Sequence, residues 1–269
     1  MTTQDPYAAQ RPSVREHLTD GRLSHSALAQ RYDACLAGRV GIVIALDADS
    51  VDESKLVVEQ TTAIEGVAAY KVGLIMVLRL GLAEAIRQLR QVTDRPLIYD
   101  HQKAGADVPD MAAKFAANCR AAGVDGLILF PTAGPRAVDA FVGEATKHRM
   151  LPIVGGDLPF ADYNASGGGY VIDHALDLIF ARAMALGADH FVVPGNTTLK
   201  LIHHAARLCE RIDTPTLLVP GIGPLGGTLA SIVKAAPGAR VFGVVGRAVY
   251  AAQDPADAAK RLVEEGLSA

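Results

Sequence analysis

The sequence predicts an α/β fold, a (β/α)8 barrel with an N-terminal helical extension. Three observations predict it. Eight short apolar runs rich in Val, Ile and Leu punctuate the chain from residue 40 onward, as strands buried on both faces do. Amphipathic patterns with apolar residues three and four apart separate them. The span left after the first 38 residues is about 230 residues, the TIM-barrel arithmetic of eight β/α units. A doubly wound open sheet is the other way to arrange alternating strands and helices. Residues 1–38 therefore read as a partly helical extension, and 39–269 as the barrel domain.

The elements follow in order. Residues 24–37 have helical character, and the first 15 or so read as loose. The apolar runs lie at 40–46, 67–73, 96–100, 126–132, 151–156, 190–195, 216–223 and 241–249. Helical patterns stand out at 82–92, 110–123, 174–188 and 198–212, several of them ending in glycine. The final pattern, 254–267, has Asp254 as its cap and Pro255 in its first turn. One connection breaks the beat. Residues 155–170, after the fifth strand, are long and hold three consecutive glycines. Such a loop suits a lid or substrate loop, or else a disordered insertion.

Composition narrows the function. Half the residues are apolar and the net charge is −3, which excludes a disordered chain. No basic excess exists for nucleic acid. The longest uncharged run, 214–233, contains three prolines and four glycines, so no membrane helix is expected. The N-terminus is polar and lacks the apolar core of a secretory signal. Cys35, Cys119 and Cys209 are odd in number and widely spaced. They read as buried hydrophobes in a reducing, cytoplasmic protein.

In a barrel, chemistry sits at the C-terminal ends of the strands. Asp47 ends the first strand and Lys71 lies in the second. The third ends in YDHQKAGAD, with Asp100, His101, Lys103 and Asp107. Two lysines and three aspartates at one mouth mark a site. An ammonium flanked by carboxylates stays protonated. Beside a fixed carboxylate it can donate a proton to a carbanion left by a departing carboxylate. That chemistry requires no metal and no organic cofactor. Gly221, Ile222 and Gly223 after the seventh strand, with Gly246 and Arg247 after the eighth, suit an anion-binding cup. His101 is also compatible with a scaffold role. His174, His203 and His204 lie in helical patterns without ligand spacing and read as surface residues.

The order ALD, YKVG, YDHQKAGADVP, VVPG, LVPGIGPLGG and VVGRAVYAAQDP, from about Val40 to the C-terminus, resembles the orotidine 5′-phosphate decarboxylase superfamily. The Mg²⁺-dependent sugar-phosphate branches of that superfamily carry a glutamate where this chain has Lys71. The resemblance therefore favours the metal-free decarboxylases. It implies cofactor-independent conversion of orotidine 5′-monophosphate to UMP and CO2 by a homodimer. Asp47 would bind ribose hydroxyls, and Lys71 and Asp100 would belong to the charged network. Lys103 would be the proton donor, and Asp107 would reach the partner's site. His101 and Val108 would line the substrate. Gly221, Ile222, Gly223, Gly246 and Arg247 would hold the phosphate. A Mg²⁺-dependent sugar-phosphate decarboxylase or aldolase, or a non-catalytic phosphometabolite binder, are the alternatives.

The chain also departs from the family pattern. The usual spacing is Asp, one residue, Lys, two residues, Asp; here each gap is one longer. An added residue reverses a side chain in an extended segment unless a bulge restores it. Otherwise His101 would take the aspartate's place. Met111 stands where a threonine is usual, and Leu225 where a glutamine bridges base and phosphate. Ser166 is a distant candidate for reading the pyrimidine.

Overall fold

A computed structural model describes residue 32 and residues 36–101, 105–160, 162–195, 197–222 and 227–269 of the chain. Eight parallel strands close into a barrel in sequence order. They are β1 (Val40–Leu46), β2 (Val67–Gly73), β3 (Leu97–Asp100), β4 (Gly126–Leu129), β5 (Leu151–Val154), β6 (His190–Val192), β7 (Thr216–Pro220) and β8 (Arg240–Val245). All eight expected strands form, and the first two have the expected bounds.

The helices run outside. In order they are α1 (Val51–Thr61), α2 (Leu74–Leu80), α3 (Leu82–Leu89), α4 (Ala112–Ala121), α5 (Pro135–Lys147), α6 (Ala175–Ala185), α7 (Thr198–Cys209), α8 (Leu229–Ala235), α9 (Arg247–Tyr250) and α10 (Pro255–Leu267). The count exceeds eight for a local reason. The chain breaks at Gly81, whose φ of 75° ends α2 and starts α3. After β8 the short α9 precedes α10. Caps fix the starts: Ser50 accepts from the Glu53 N–H. Asp254 accepts from the Asp257 N–H, with Pro255 in the first turn as its sequence suggests.

Strand alternation sorts the apolar residues into two clusters. Val43, Ala69, Ile98, Ile128, Ile153, Leu218 and Phe242 fill the barrel interior. Ile42, Ile44, Tyr70, Leu97, Tyr99 and Phe191 face outward and pack on the helices. The expected extension lies almost wholly outside the described residues. Tyr32 and Leu36 are buried and join the interior cluster. At the N-terminal end, Arg240 donates to the carbonyls of Gly38, at 3.0 Å, and Leu36, and to Thr216 Oγ1 at 3.2 Å. This buried cation ties the segment before β1 to the barrel floor.

Cys119 is a buried free thiol, as expected. Cys209 is only half-buried, a departure from its expected place, and Cys35 lies outside the described residues. Among the described residues no helix is long and apolar enough to cross a membrane.

Candidate active site at the barrel mouth

Register builds the site. On β2 the residues Tyr70 and Val72 face the helices, so Lys71 points inward. On β3 the outward residues are Leu97 and Tyr99, so Asp100 points inward too. Asp100 pairs with Gly73 across the sheet, and Lys71 pairs with Ala45 on β1. Asp47 follows β1 at the same end.

Lys71 Nζ lies 3.2 Å from Asp100 Oδ2 and 3.5 Å from Asp47 Oδ2. The Lys71 and Asp100 side chains are only 11% and 9% exposed, whereas Asp47 is 42% exposed. The inner pair is thus shielded from water, where an ion pair is strongest. Gly73 makes room for it. A Cβ there would stand 2.4 Å from Asp47 Oδ1 and 3.5 Å from Lys71 Nζ. Asp100 Oδ1 is buried and has no hydrogen-bond partner among the described residues. A buried carboxylate oxygen normally accepts a bond, so this one is available to a group arriving at the mouth.

The third-strand question has an answer in the backbone. Asp100 holds the inward place, and His101 does not take it. The His101 ring bonds Tyr99 Oη through Nδ1 at 2.7 Å and packs 5.8 Å from the Phe115 ring on α4. The ring thus packs beside Tyr99 and against Phe115 of α4. Lys103 lies outside the described residues. The chain then turns at Gly105, with φ of +90°. A Cβ at Gly105 would meet the Pro131 backbone at 2.6 Å. Gly105 is thus packed directly against the segment after β4.

Asp107 and Val108 are exposed. The Asp107 carboxylate accepts from the Val108 N–H at 2.7 Å, its bond among the described residues. The structure does not bring it to Lys71 within the chain. Met111 ends a short 3-10 turn and is exposed.

The opposite side of the mouth is formed by β7 and β8, in register through Pro220 and Val244. Gly221 has φ of +108° and Ile222 is buried. Gly223 and Leu225 lie outside the described residues. Gly246 caps α9, and its carbonyl accepts from Val249 and Tyr250. Arg247 is exposed and makes no ion pair among the described residues.

The loop after β5 is built rather than loose. Asp157 is buried and bonds Lys200 Nζ at 2.8 Å, and Lys200 also donates to Asn164 Oδ1 at 3.0 Å. Tyr163 donates to the Gly156 carbonyl. Ser166 bonds Asp173 through both its hydroxyl and its amide. Those bonds lower the Asp173 carboxyl below its ordinary range and engage the serine away from the mouth. The Asp157–Lys200 pair was not legible in the sequence. Only the Asp directly after the fifth strand hinted at it, and its partner is 43 residues away.

A family model described as "Orotidine 5′-phosphate decarboxylase / HUMPS family" matches residues 41–262, nearly all of the barrel. The chain belongs to this family. An orotidine 5′-phosphate decarboxylase of Methanosarcina acetivorans is 28% identical over 224 residues, covering 83% of this chain and 93% of that protein. One from Thermococcus kodakarensis is 26% identical over 226 residues, covering 84% and 96%. The orotidine 5′-monophosphate decarboxylase of Methanocaldococcus jannaschii, solved with the inhibitor BMP, is 25% identical with a TM-score of 0.70. That match covers 85% of this chain and 99% of the other. The matched region holds Asp47, Lys71 and Asp100 and the segments that follow β7 and β8. The leading segment lies before it.

Proposed function

We propose that the chain decarboxylates orotidine 5′-monophosphate to UMP and CO2, with no organic cofactor. The observation that carries the reading is the shielded Lys71 held between Asp100 and Asp47, with Asp100 Oδ1 open.

The proposed roles are these. Amides of Gly221, Ile222, Gly223 and Gly246, with the Arg247 guanidinium, bind the phosphate. Asp47, the exposed carboxylate, accepts from ribose hydroxyls. Binding at these remote groups sets the substrate carboxylate against Asp100, and like charge raises its ground-state energy. Lys71 holds Asp100 in place through their ion pair. The C6–carboxylate bond breaks, CO2 leaves, and the electron pair stays on C6. Lys103 then gives its ammonium proton to C6 and becomes neutral until solvent reprotonates it. Val108 lines the substrate.

A homodimer is part of the same proposal, with Asp107 completing the partner's site. Its support is that Asp107 and Val108 are exposed, as are Leu74, Ile75 and Leu78 on α2. A cytoplasmic location is proposed as well, since free thiols suit a reducing compartment. The Mg²⁺-dependent reading has less support, because an ammonium stands at the centre of the carboxylates and repels a second cation.

The test is direct. Purified protein mixed with orotidine 5′-monophosphate should bleach the substrate's ultraviolet absorbance, and chelator should not slow it. Folded protein that is stabilised by UMP yet turns nothing over would identify a binder instead and end this reading.

A further inference from the structure

The helix layer holds a second cluster of chemistry-bearing groups, outside the matched mouth. Asp177 on α6 faces His203 and His204, consecutive residues on α7. Asp177 Oδ2 lies 3.3 Å from His203 Nε2, and Oδ1 lies 3.2 Å from His204 Nδ1. One ligand atom from each of the three residues falls within 4.8 Å of the others. The sequence reading placed both histidines on the surface. His204 instead is buried, its ring edge-on to Phe180, which in turn packs on Phe191 of β6. Consecutive helix residues usually face different ways. Here the two rings meet edge to face, with centroids 5.1 Å apart, and the one carboxylate of Asp177 on α6 reaches both.

A specific deficiency marks the spot. His204 Nδ1 lies 3.2 Å from Asp177 Oδ1 but makes no well-aligned hydrogen bond to it or to any other described residue. Its side chain is only 9% exposed. A buried nitrogen lone pair or N–H without a partner is costly. Arg207 is the other charged group near Asp177, at 4.0 Å, and it is 61% exposed, free to turn outward.

We propose that Asp177, His203 and His204 form a binding site for a divalent first-row transition ion, with Zn²⁺ as the representative, that clamps α6 to α7. Two imidazole nitrogens and one carboxylate are the donor set such ions prefer over Mg²⁺ or Ca²⁺. Ligands about 2.1 Å from one ion lie no more than about 4.2 Å apart, so the set needs a small closure. His203, half-exposed, is the side chain able to supply it. Water completes the coordination. The ion gives His204 Nδ1 a partner and neutralises Asp177, so it fits the structure as a clamp. The site lies between α6 and α7 and has no part in the proposed decarboxylation.

The experiment uses full-length, tag-free protein titrated with Zn²⁺ by calorimetry, with thermal unfolding in parallel. One saturable site per chain is expected, with a rise in midpoint because the ion binds only the folded form. His203→Ala and Asp177→Asn should each weaken binding by at least about tenfold. His174→Ala, an exposed histidine outside the set, should bind as the unaltered chain does. Tetrahedral-type visible absorption on adding Co²⁺, lost in His203→Ala, would place the ion on the imidazole. Absence of a saturable site, or equal Zn²⁺ affinity in His203→Ala and Asp177→Asn, overturns the proposal.

Discussion

Lys71 stands between two carboxylates, and removing it is not the mirror image of removing either of them. Lys71→Met leaves Asp100, nine-tenths buried, with no cation among the described residues. That is the costly way to break a buried pair, and about 3 kcal/mol of stability should be lost. Asp100→Asn keeps the volume and leaves Lys71 with Asp47. Its stability should stay within about 1 kcal/mol of the original. Both variants should lose turnover, since the reaction needs the fixed charge. Urea midpoints separate the two, and equal shifts would refute the electrostatic account. Lys103→Ala tests the other half of the network. A missing general acid lowers kcat by about 10²- to 10⁴-fold, while UMP affinity stays near its original value. Near-normal turnover in that variant removes Lys103 from the donor's role.

At the scale of elements, β3 and α4 meet through a polar-edged aromatic seam. Tyr99, His101 and Phe115 stack along it, and Cys119 lies beneath. Burial pushes the Tyr99 hydroxyl up to about 12, with help from the charges on Cys119 and Asp100. Burial alone pushes the Cys119 thiol up to about 12. Both groups ionise more readily in the unfolded chain, near 10.0 and 9.0. Raising the pH therefore favours unfolding. The seam's full stability is present below about pH 9 and falls away as the pH climbs toward 12. A Cys119→Ala, Tyr99→Phe double variant should show a flatter alkaline limb in chemical denaturation. An unchanged slope between those limits would refute the assignment. Within the native protein Cys119 should also resist thiol reagents at neutral pH.

This seam also shows what the sequence could carry and what it could not. Strands buried on both faces must be runs of Val, Ile and Leu, so all eight were legible. Alternation then gave Lys71 its inward direction. The direction of Asp100 against His101 was not legible, because one added residue makes both registers available. In the fold Asp100 continues the inward alternation of β3, while Tyr99 offers His101 a bond. Asp157–Lys200 and Asp177–His203–His204 were invisible for another reason. Their members sit on different elements, and only packing brings them together.

The barrel buries charge at both of its ends. The C-terminal mouth holds ions at close range for chemistry, where stability is routinely sacrificed. The N-terminal floor uses Arg240 for anchorage. Its guanidinium serves the carbonyls of Leu36 and Gly38 and the Thr216 hydroxyl, and lies 5.4 Å from the Phe242 ring centroid. Arg240→Met keeps the aliphatic stem but strands those acceptors in a buried place. The cost should be about 3 kcal/mol, read as a lower denaturant midpoint. Because Tyr32 and Leu36 are seated in the interior cluster behind this bond set, amide exchange at 36–40 should rise before exchange elsewhere in the barrel. Turnover per folded molecule should not change, since the mouth lies at the other end of the strands. A variant with lost turnover and an unmoved midpoint would reverse the assignment of the two ends.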